Sequence, residues 1–196
     1  MKSLQSGSVQ WRFVLATRLA LPTIAIFLGA CGSPSYGEPG NDNRAPDVPD
    51  AIKVPVGNKV HFHAYAVGVQ IYAWTINPTN GAGSWVFRAP EAVLFADADT
   101  NGEIGIHYAG PTWESESGSK VVAARVAGVT VEATAIPWLL LKATGTEGPG
   151  ILNRTAYVQR VNTVGGLAPS TPGTAAGQEA RVPYIAEYFF YREQKQ

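Results

Sequence analysis

Residues 182–190 of this chain read VPYIAEYFF, and this stretch indicates the fold class. Its apolar and aromatic residues recur at every second position; they are Val182, Tyr184, Ala186, Tyr188 and Phe190. Successive side chains of a β-strand point to opposite faces, so a period of two predicts a strand with one buried face. Residues 60–66 and 129–134 alternate in the same way; the residues that would share a face are Val60, Phe62, Ala64 and Ala66, and then Val129, Val131 and Ala133.

Glycine and proline divide the rest of the chain into pieces of strand length. They make up about a fifth of residues 32–196, against about an eighth in ordinary domains, and turn signals such as Asn80-Gly81 separate the pieces. Residues 138–141, WLLL, form a continuous apolar run that favours a strand buried on both faces. A short helix is an alternative for residues 155–161. We predict a single all-β domain, an antiparallel β-sandwich or partly closed barrel of about eight to ten strands.

Residues 1–31 are interpreted as a lipoprotein signal peptide. Three basic residues accompany an apolar run at residues 19–30, which is too short to cross a hydrocarbon core of about 30 Å. The segment ends in LGAC, which resembles the bacterial lipobox, whose cysteine accepts a diacylglyceryl group. Cys31 is the only cysteine in the chain, so it has no intrachain disulfide partner, and lipidation would remove the free thiol. A plain secretory signal with an unrelated cysteine is the alternative.

The lipobox predicts a bacterial cell-envelope protein held to the membrane through lipidated Cys31. Gly32 and Ser33 follow it in place of an aspartate, which resembles the default sorting to the outer membrane in Gram-negative bacteria. Residues 32–50 are rich in proline and glycine and predict a flexible tether. The remaining divisions are the all-β domain at residues 51–192 and a polar tail at residues 193–196.

Several further motifs point to a known family. They are VPVG at 54–57, GVQIY at 68–72, PEA at 90–92, GIHYAGPTWE at 105–114, GSKVV at 118–122, IPWLL at 136–140, QRVNT at 159–163 and VPY at 182–184. In this order they resemble the domain-of-unknown-function family 3455, which occurs in bacteria and fungi. The resemblance covers nearly all of residues 51–191 and implies secretion and a compact domain, but no activity.

The resemblance also implies a difference from the family. Its members usually have a cysteine where this chain has Trp74, and another where it has Thr174. The two changes together look like the loss of one disulfide, a bond that typically stabilises a fold by about 2–4 kcal/mol. Packing is expected to replace it, through Trp74 itself.

The first candidate site is the block HYAGPTWE at residues 107–114. We expect His107, Tyr108, Trp113 and Glu114 to bind a ligand, because aromatic rings offer flat apolar contact with a polar edge. His107 would lie on the face opposite Tyr108 and point into a cleft, and a turn would bring Glu114 beside it for acid–base work. The alternative is structural, with Tyr108 and Trp113 in the core. Full burial of His107 with a backbone hydrogen bond would make the block scaffold.

Two groups of residues match the spacing of metal ligands. One places oxygen ligands at alternate positions, as at the start of a calcium loop; it consists of Asp97, Asp99 and Asn101. Its twelfth position holds Tyr108 rather than a bidentate glutamate, so an acidic hairpin tip is the alternative. The other group is His61 with His63, which would share a strand face and bind zinc if a third ligand lay nearby.

The charge and motifs together narrow the function. The chain has 15 basic and 15 acidic residues, and without residues 1–31, which contain three basic residues and no acidic one, its net charge is −3. A nucleic-acid binder would show a basic surplus, so no such partner is expected. We predict a non-enzymatic binding module for a small ligand, a glycan or an envelope component. The rival is a secreted hydrolase that uses His107 and Glu114 or a bound cation.

Overall fold

The computed structural model describes residues 45–194. The expected signal peptide with Cys31, residues 32–44 of the expected tether and residues 195–196 of the polar tail lie outside this range. Eight strands follow one another: β1 (Asn58–Ile76), β2 (Gly83–Phe95), β3 (Glu103–Tyr108), β4 (Thr112–Ser115), β5 (Lys120–Val129), β6 (Trp138–Glu147), β7 (Tyr157–Gly165) and β8 (Glu179–Glu193). A single turn of 3-10 helix, Asp50–Ile52, precedes them. In this part of the chain no helix is long and apolar enough to cross a membrane.

The eight strands form one closed barrel in which every neighbouring pair is antiparallel. This confirms the all-β class. Closure depends on β1 and β8, which pair over most of their 19 and 15 residues, with Ala66 opposite Ala186 and Gly68 opposite Tyr184. Gly68 also lies so close to β2 that an added Cβ would be 2.2 Å from the Glu91 carbonyl oxygen. Only glycine permits that approach of two backbones.

Two apolar clusters lie on opposite faces of the barrel wall. The largest fully buried members of the interior cluster are Leu94, Trp113, Tyr184, Tyr188 and Phe190. The outer cluster forms beneath the N-terminal segment, residues 45–56; it contains Val48, Ile52, Val60, Leu140, Val161, Phe189 and Tyr191. Leu140 belongs to the outer cluster and Leu141 to the interior one, so residues 138–141 are buried on both faces, as predicted.

The outer cluster is fixed in place by one buried amide. The Gln159 side chain donates from Nε2 to the Ile52 carbonyl oxygen at 2.6 Å and accepts a hydrogen bond from the Tyr191 hydroxyl. Both polar ends of Gln159 are therefore satisfied, as a buried amide requires. Val48 is buried in the same cluster although it falls within residues 32–50, so chain packed against the barrel begins before residue 51.

One alternative and two local expectations were wrong. Residues 157–161 of the proposed helical stretch are strand, because β7 pairs with both β6 and β8. A β-bulge between Val60 and Phe62 turns Val60 to the outer cluster while Phe62 packs against the interior one, since one extra residue reverses the alternation. The third is residues 130–134, which lie in the loop after β5, where Ala135 donates its backbone N–H to the Glu132 carbonyl oxygen.

Trp74 packs against the loop that precedes β8. Its backbone N–H donates to the Gln178 carbonyl oxygen at 2.8 Å, and its own carbonyl accepts from Gly177 at 2.9 Å. A Cβ added to Gly173 would lie 2.5 Å from Trp74 Cγ. Position 74 therefore contacts the segment beside Thr174, where the family resemblance implies the second cysteine.

Candidate functional site

A cavity of about 370 Å³ enters the barrel interior near the β3–β4 turn and the loop before β6. Its volume falls in the range of pockets for small molecules. Four aromatic side chains contribute to its wall: Tyr72, Phe87, Trp113 and Tyr188. Three arginines also line it: Arg88, Arg125 and Arg160. The described lining contains no aspartate or glutamate.

A wider depression of about 850 Å³ lies where β1 begins and β8 ends. Its lining includes Lys59, Arg154 and Arg192. Its polar groups belong to the barrel rim and neighbouring loops, whereas the smaller cavity reaches residues of the interior cluster. We therefore take the smaller cavity as the candidate site.

Arg160 lies on β7 with its side chain towards the cavity. Its Nε and Nη2 donate to the Pro137 carbonyl oxygen at 3.2 and 2.8 Å, which fixes the guanidinium against the loop before β6. Burial raises the pKa of Tyr188, and the nearby positive charge of Arg160 opposes that rise. Arg160 forms no ion pair with a carboxylate within residues 45–194. The arrangement places a fixed positive charge in the wall of the cavity.

Two buried donors in the same wall lack a hydrogen-bond partner among the described residues. They are Trp113 Nε1 and Gln70 Nε2. Burial raises the pKa of Tyr184, and the Gln70 side chain has a smaller, lowering effect on it. The Gln70 amide therefore lies near the Tyr184 hydroxyl, but Nε2 does not form a hydrogen bond with it. Leaving a buried donor unpaired costs about 1–3 kcal/mol. Both atoms are almost inaccessible to solvent, so they belong to the packed part of the wall behind the cavity surface.

His107 and Trp113 form part of this wall through a short hairpin. The two residues are directly opposite each other on β3 and β4, and their rings stack with centroids 4.3 Å apart and an interplanar angle of 8°. His107 Nδ1 donates to the Thr112 carbonyl oxygen at 2.8 Å. Burial lowers the pKa of His107 to about 3. The hydrogen bond to Thr112 acts to raise it, and the positive charge of Arg160 makes a small further contribution to lowering it. The ring is therefore neutral near pH 7, with Nε2 as an acceptor.

The expected pairing of His107 with Glu114 was wrong. His107 faces the interior, and so does Trp113, so strand alternation directs Glu114 to the outside. There its carboxylate accepts a hydrogen bond from the Tyr108 hydroxyl at 2.9 Å and lies 3.3 Å from Lys120 Nζ. The structure thus brings His107 and Trp113 together and separates them from Tyr108 and Glu114. His107 is buried and bonded to backbone, so we interpret it as scaffold and drop the acid–base pair.

The carboxylate of Asp97 closes the turn between β2 and β3. It accepts hydrogen bonds from the backbone N–H of Asn101 at 2.9 Å and from Asn101 Nδ2 at 3.0 Å. These bonds lower the pKa of Asp97. Within residues 45–194 no three His, Cys, Asp or Glu side chains are grouped so that they could hold a metal ion. Calcium binding by Asp97, Asp99 and Asn101 stays a prediction.

The two histidines of β1 have separate partners. His61 Nε2 lies 3.2 Å from Thr155 Oγ1, whereas His63 Nε2 lies 2.8 Å from a Glu187 carboxylate oxygen. His63 also stacks on Phe189 with ring centroids 3.9 Å apart. These contacts fix each ring in the wall without bringing the pair to a common ligand set.

Sequence reasoning missed Gln70 and Arg160. Gln70 lies on β1 in phase with the buried Ala64 and Ala66, and Arg160 lies on β7 in phase with the buried Val158. The sequence did contain a signal for both residues: each is a polar residue at a strand position where the alternation predicts a buried side chain. Such a residue must either be satisfied within the protein or face a cavity.

Comparison with known proteins identifies one matching family. The family model described as a protein of unknown function (DUF3455) matches residues 55–192. Searches of curated proteins and of solved structures find no match. Because the matched region covers well over half of the chain, from the start of the barrel to its last strand, the protein belongs to the DUF3455 family.

Proposed function

We propose that this protein is a lipid-anchored cell-envelope protein whose barrel binds a small ligand in the cavity. The observation that carries the proposal is the cavity of about 370 Å³ that enters the barrel interior. Its wall combines four aromatic side chains with three arginines, and its described lining contains no aspartate or glutamate. A concave, largely apolar site with a few polar groups is typical of small-molecule binding.

The shape of the cavity supports a small ligand over a glycan chain or an envelope protein. Its volume of about 370 Å³ is at the lower end for small-molecule sites. Its apolar wall includes Ile136, Leu139 and Leu141, and Phe87 lies edge-on to Tyr72 with ring centroids 5.7 Å apart. Flat, apolar groups would fit against these surfaces.

The sequence supports a binding role at a membrane surface. We propose that Cys31 carries the acyl chains, including palmitate, after removal of residues 1–30, and that Gly32 and Ser33 direct the protein to the outer membrane. A multiply acylated terminus anchors a protein stably, because each buried CH₂ contributes roughly 0.8 kcal/mol. The cavity would then be presented to solutes next to the membrane.

The test is a thermal-shift screen of small molecules with the full-length protein in a neutral detergent. A ligand that binds only the folded state raises Tm by mass action. Leu139→Trp should fill the cavity and abolish the shift. Val126→Trp introduces the same ring at an exposed position outside the cavity lining and should retain it. A shift that survives Leu139→Trp, or a screen without any shift, would contradict the proposal.

A further inference from the structure

We infer that the ligand of this cavity is an organic monocarboxylate, with its carboxylate group against Arg160 and its apolar body against the aromatic wall. The inference rests on the proposed binding function and adds the chemical class of the ligand. Its starting point is the set of charges around the cavity.

Of the seven lysines and arginines that the structure describes outside the cavity lining, three form ion pairs with carboxylates. Lys53 pairs with Asp50 at 2.6 Å, Lys120 with Glu114 at 3.3 Å, and Arg181 with Glu91 at 2.6 Å. By contrast, the cavity arginines come from three strands, β2, β5 and β7, and form no ion pair within residues 45–194; they are Arg88, Arg125 and Arg160. Because the lining also lacks a carboxylate, the cavity has a positive potential that an anion would neutralise.

Arg160 is the residue best placed to hold the anion. A guanidinium has five N–H donors, and the Pro137 carbonyl oxygen takes two of those of Arg160. The remaining donors lie near the Tyr188 hydroxyl, with which the guanidinium interacts, and beside the cavity, on a side chain whose position is already fixed. Trp113 Nε1 and Gln70 Nε2 lie deeper in the same wall, where they are shielded from solvent. A carboxylate in the cavity would therefore bind chiefly to the guanidinium, through charge-assisted hydrogen bonds.

The other titratable groups of the wall do not supply the missing negative charge. Burial raises the pKa of Tyr188 and of Tyr72, so both hydroxyls stay protonated at neutral pH. His107 stays neutral and already donates to backbone. The described wall therefore contains positive and neutral groups but no negative one, which is the complement of a bound acid.

A carboxylate fits the surroundings of Arg160 better than a phosphate. The guanidinium fork matches the two oxygens of a carboxylate. A phosphate monoester carries up to two charges and more oxygens, and its dehydration within a wall of Tyr72, Trp113 and Leu141 would be costlier. The aromatic rings instead offer contact to an apolar body attached to the acid.

The test is isothermal titration calorimetry of the full-length protein with matched pairs of probes. Benzoate, trans-cinnamate and octanoate are each compared with their own primary amide, and inorganic phosphate and phenyl phosphate form a separate arm. We expect at least one acid to bind tenfold or more tightly than its amide. Arg160→Gln should bring that ratio close to one. Arg154→Gln removes the same charge at the opposite rim and should keep the ratio.

A second variant covers the possibility that Arg160→Gln does not fold. Arg125 is exposed at the cavity mouth, and Arg125→Gln should weaken binding of the acid several-fold without changing that of the amide. Equal affinity for acid and amide would overturn the inference and leave the proposed binding function intact. Tighter binding of phenyl phosphate than of any acid would overturn the carboxylate assignment. Failure of every acid to bind would also overturn it, and the ligand screen would then decide separately whether the cavity binds anything.

Discussion

Acid should destabilise the barrel well before its carboxylates are protonated, because two histidines are buried in neutral form. Burial lowers the pKa of His107 to about 3, and burial with a smaller contribution from Arg192 lowers that of His61 to about 4. An unfolded chain restores both to about 6.5. The stabilisation is therefore complete above pH 6.5 and is lost as the pH falls, since the unfolded state then binds more protons.

The magnitude follows from the same pKa values. Between pH 7.5 and pH 4.5, linkage predicts a loss of about 2–3 kcal/mol through each of His107 and His61. The combined loss of about 5 kcal/mol is comparable with the whole stability of many domains, about 5–15 kcal/mol. Above pH 4.5 most carboxylates keep their charge, so the two histidines dominate this range.

The assay is urea unfolding of the full-length protein, followed by tryptophan fluorescence, at pH 7.5, 6.0 and 4.5. His107→Phe preserves a ring against Trp113 but removes the titrating group and the hydrogen bond to the Thr112 carbonyl oxygen. It should lower the free energy of unfolding at pH 7.5 by about 1–3 kcal/mol, and its stability should approach that of the parent at pH 4.5. His61→Phe should remove the other half of the pH dependence. If both variants show the pH dependence of the parent, the reasoning is refuted.

Three further predictions follow from the sequence and from local packing. Cys31→Ser should abolish incorporation of labelled palmitate and processing at this site, and equal labelling of variant and parent would contradict the anchor. If Asp97 and its neighbours bind calcium, millimolar calcium should raise the parent's Tm. Asp97→Ala removes the hydrogen bonds that close the turn, so it should lower Tm in the absence of calcium and also eliminate the calcium response. If calcium does not change the Tm of the parent, residues 97–101 form a turn without a calcium site. Trp74→Ala should destabilise the barrel by about 3 kcal/mol, as expected when a large side chain is removed from a packed contact. It should also speed amide hydrogen exchange at Gly177, whereas unchanged exchange would show that the loop before β8 is held by other contacts.

The alternation of residues 182–190 and the apolar run at residues 138–141 were enough to place two strands and the core faces they supply. The same reasoning failed at Val60 and after Val129. A bulge reverses the phase of a strand without a fixed sequence signal, and the alternation of residues 129–134 continues into a loop where no partner strand is available. Alternation defines two faces, but tertiary pairing decides how far a strand extends.

At the candidate site, sequence reasoning selected a hairpin that contributes to the cavity wall, but it expected Glu114 beside His107, whereas Glu114 lies on the outer face with Tyr108. Ile106 and Tyr108 are as suitable for a core as His107 and Trp113, so the pattern alone could not decide which pair faces inward. The decision comes from the seam between β1 and β8, which brings Tyr188 against both rings of the inward pair. Arg160 was missed because one charged residue in a strand usually marks the solvent face.

The seam between β1 and β8 has a kinetic consequence. The first and last strands must meet for the barrel to close, so more than a hundred residues of chain have to be in place before the longest ladder can form. Contacts this distant in sequence slow folding, and a nascent chain that lacks Glu179–Glu193 would expose long open edges of β1 and β7. Until β8 has joined β1, these edges could pair with other chains. We expect any chaperone that assists folding to act on the unclosed sheet and to leave once β8 has paired with β1.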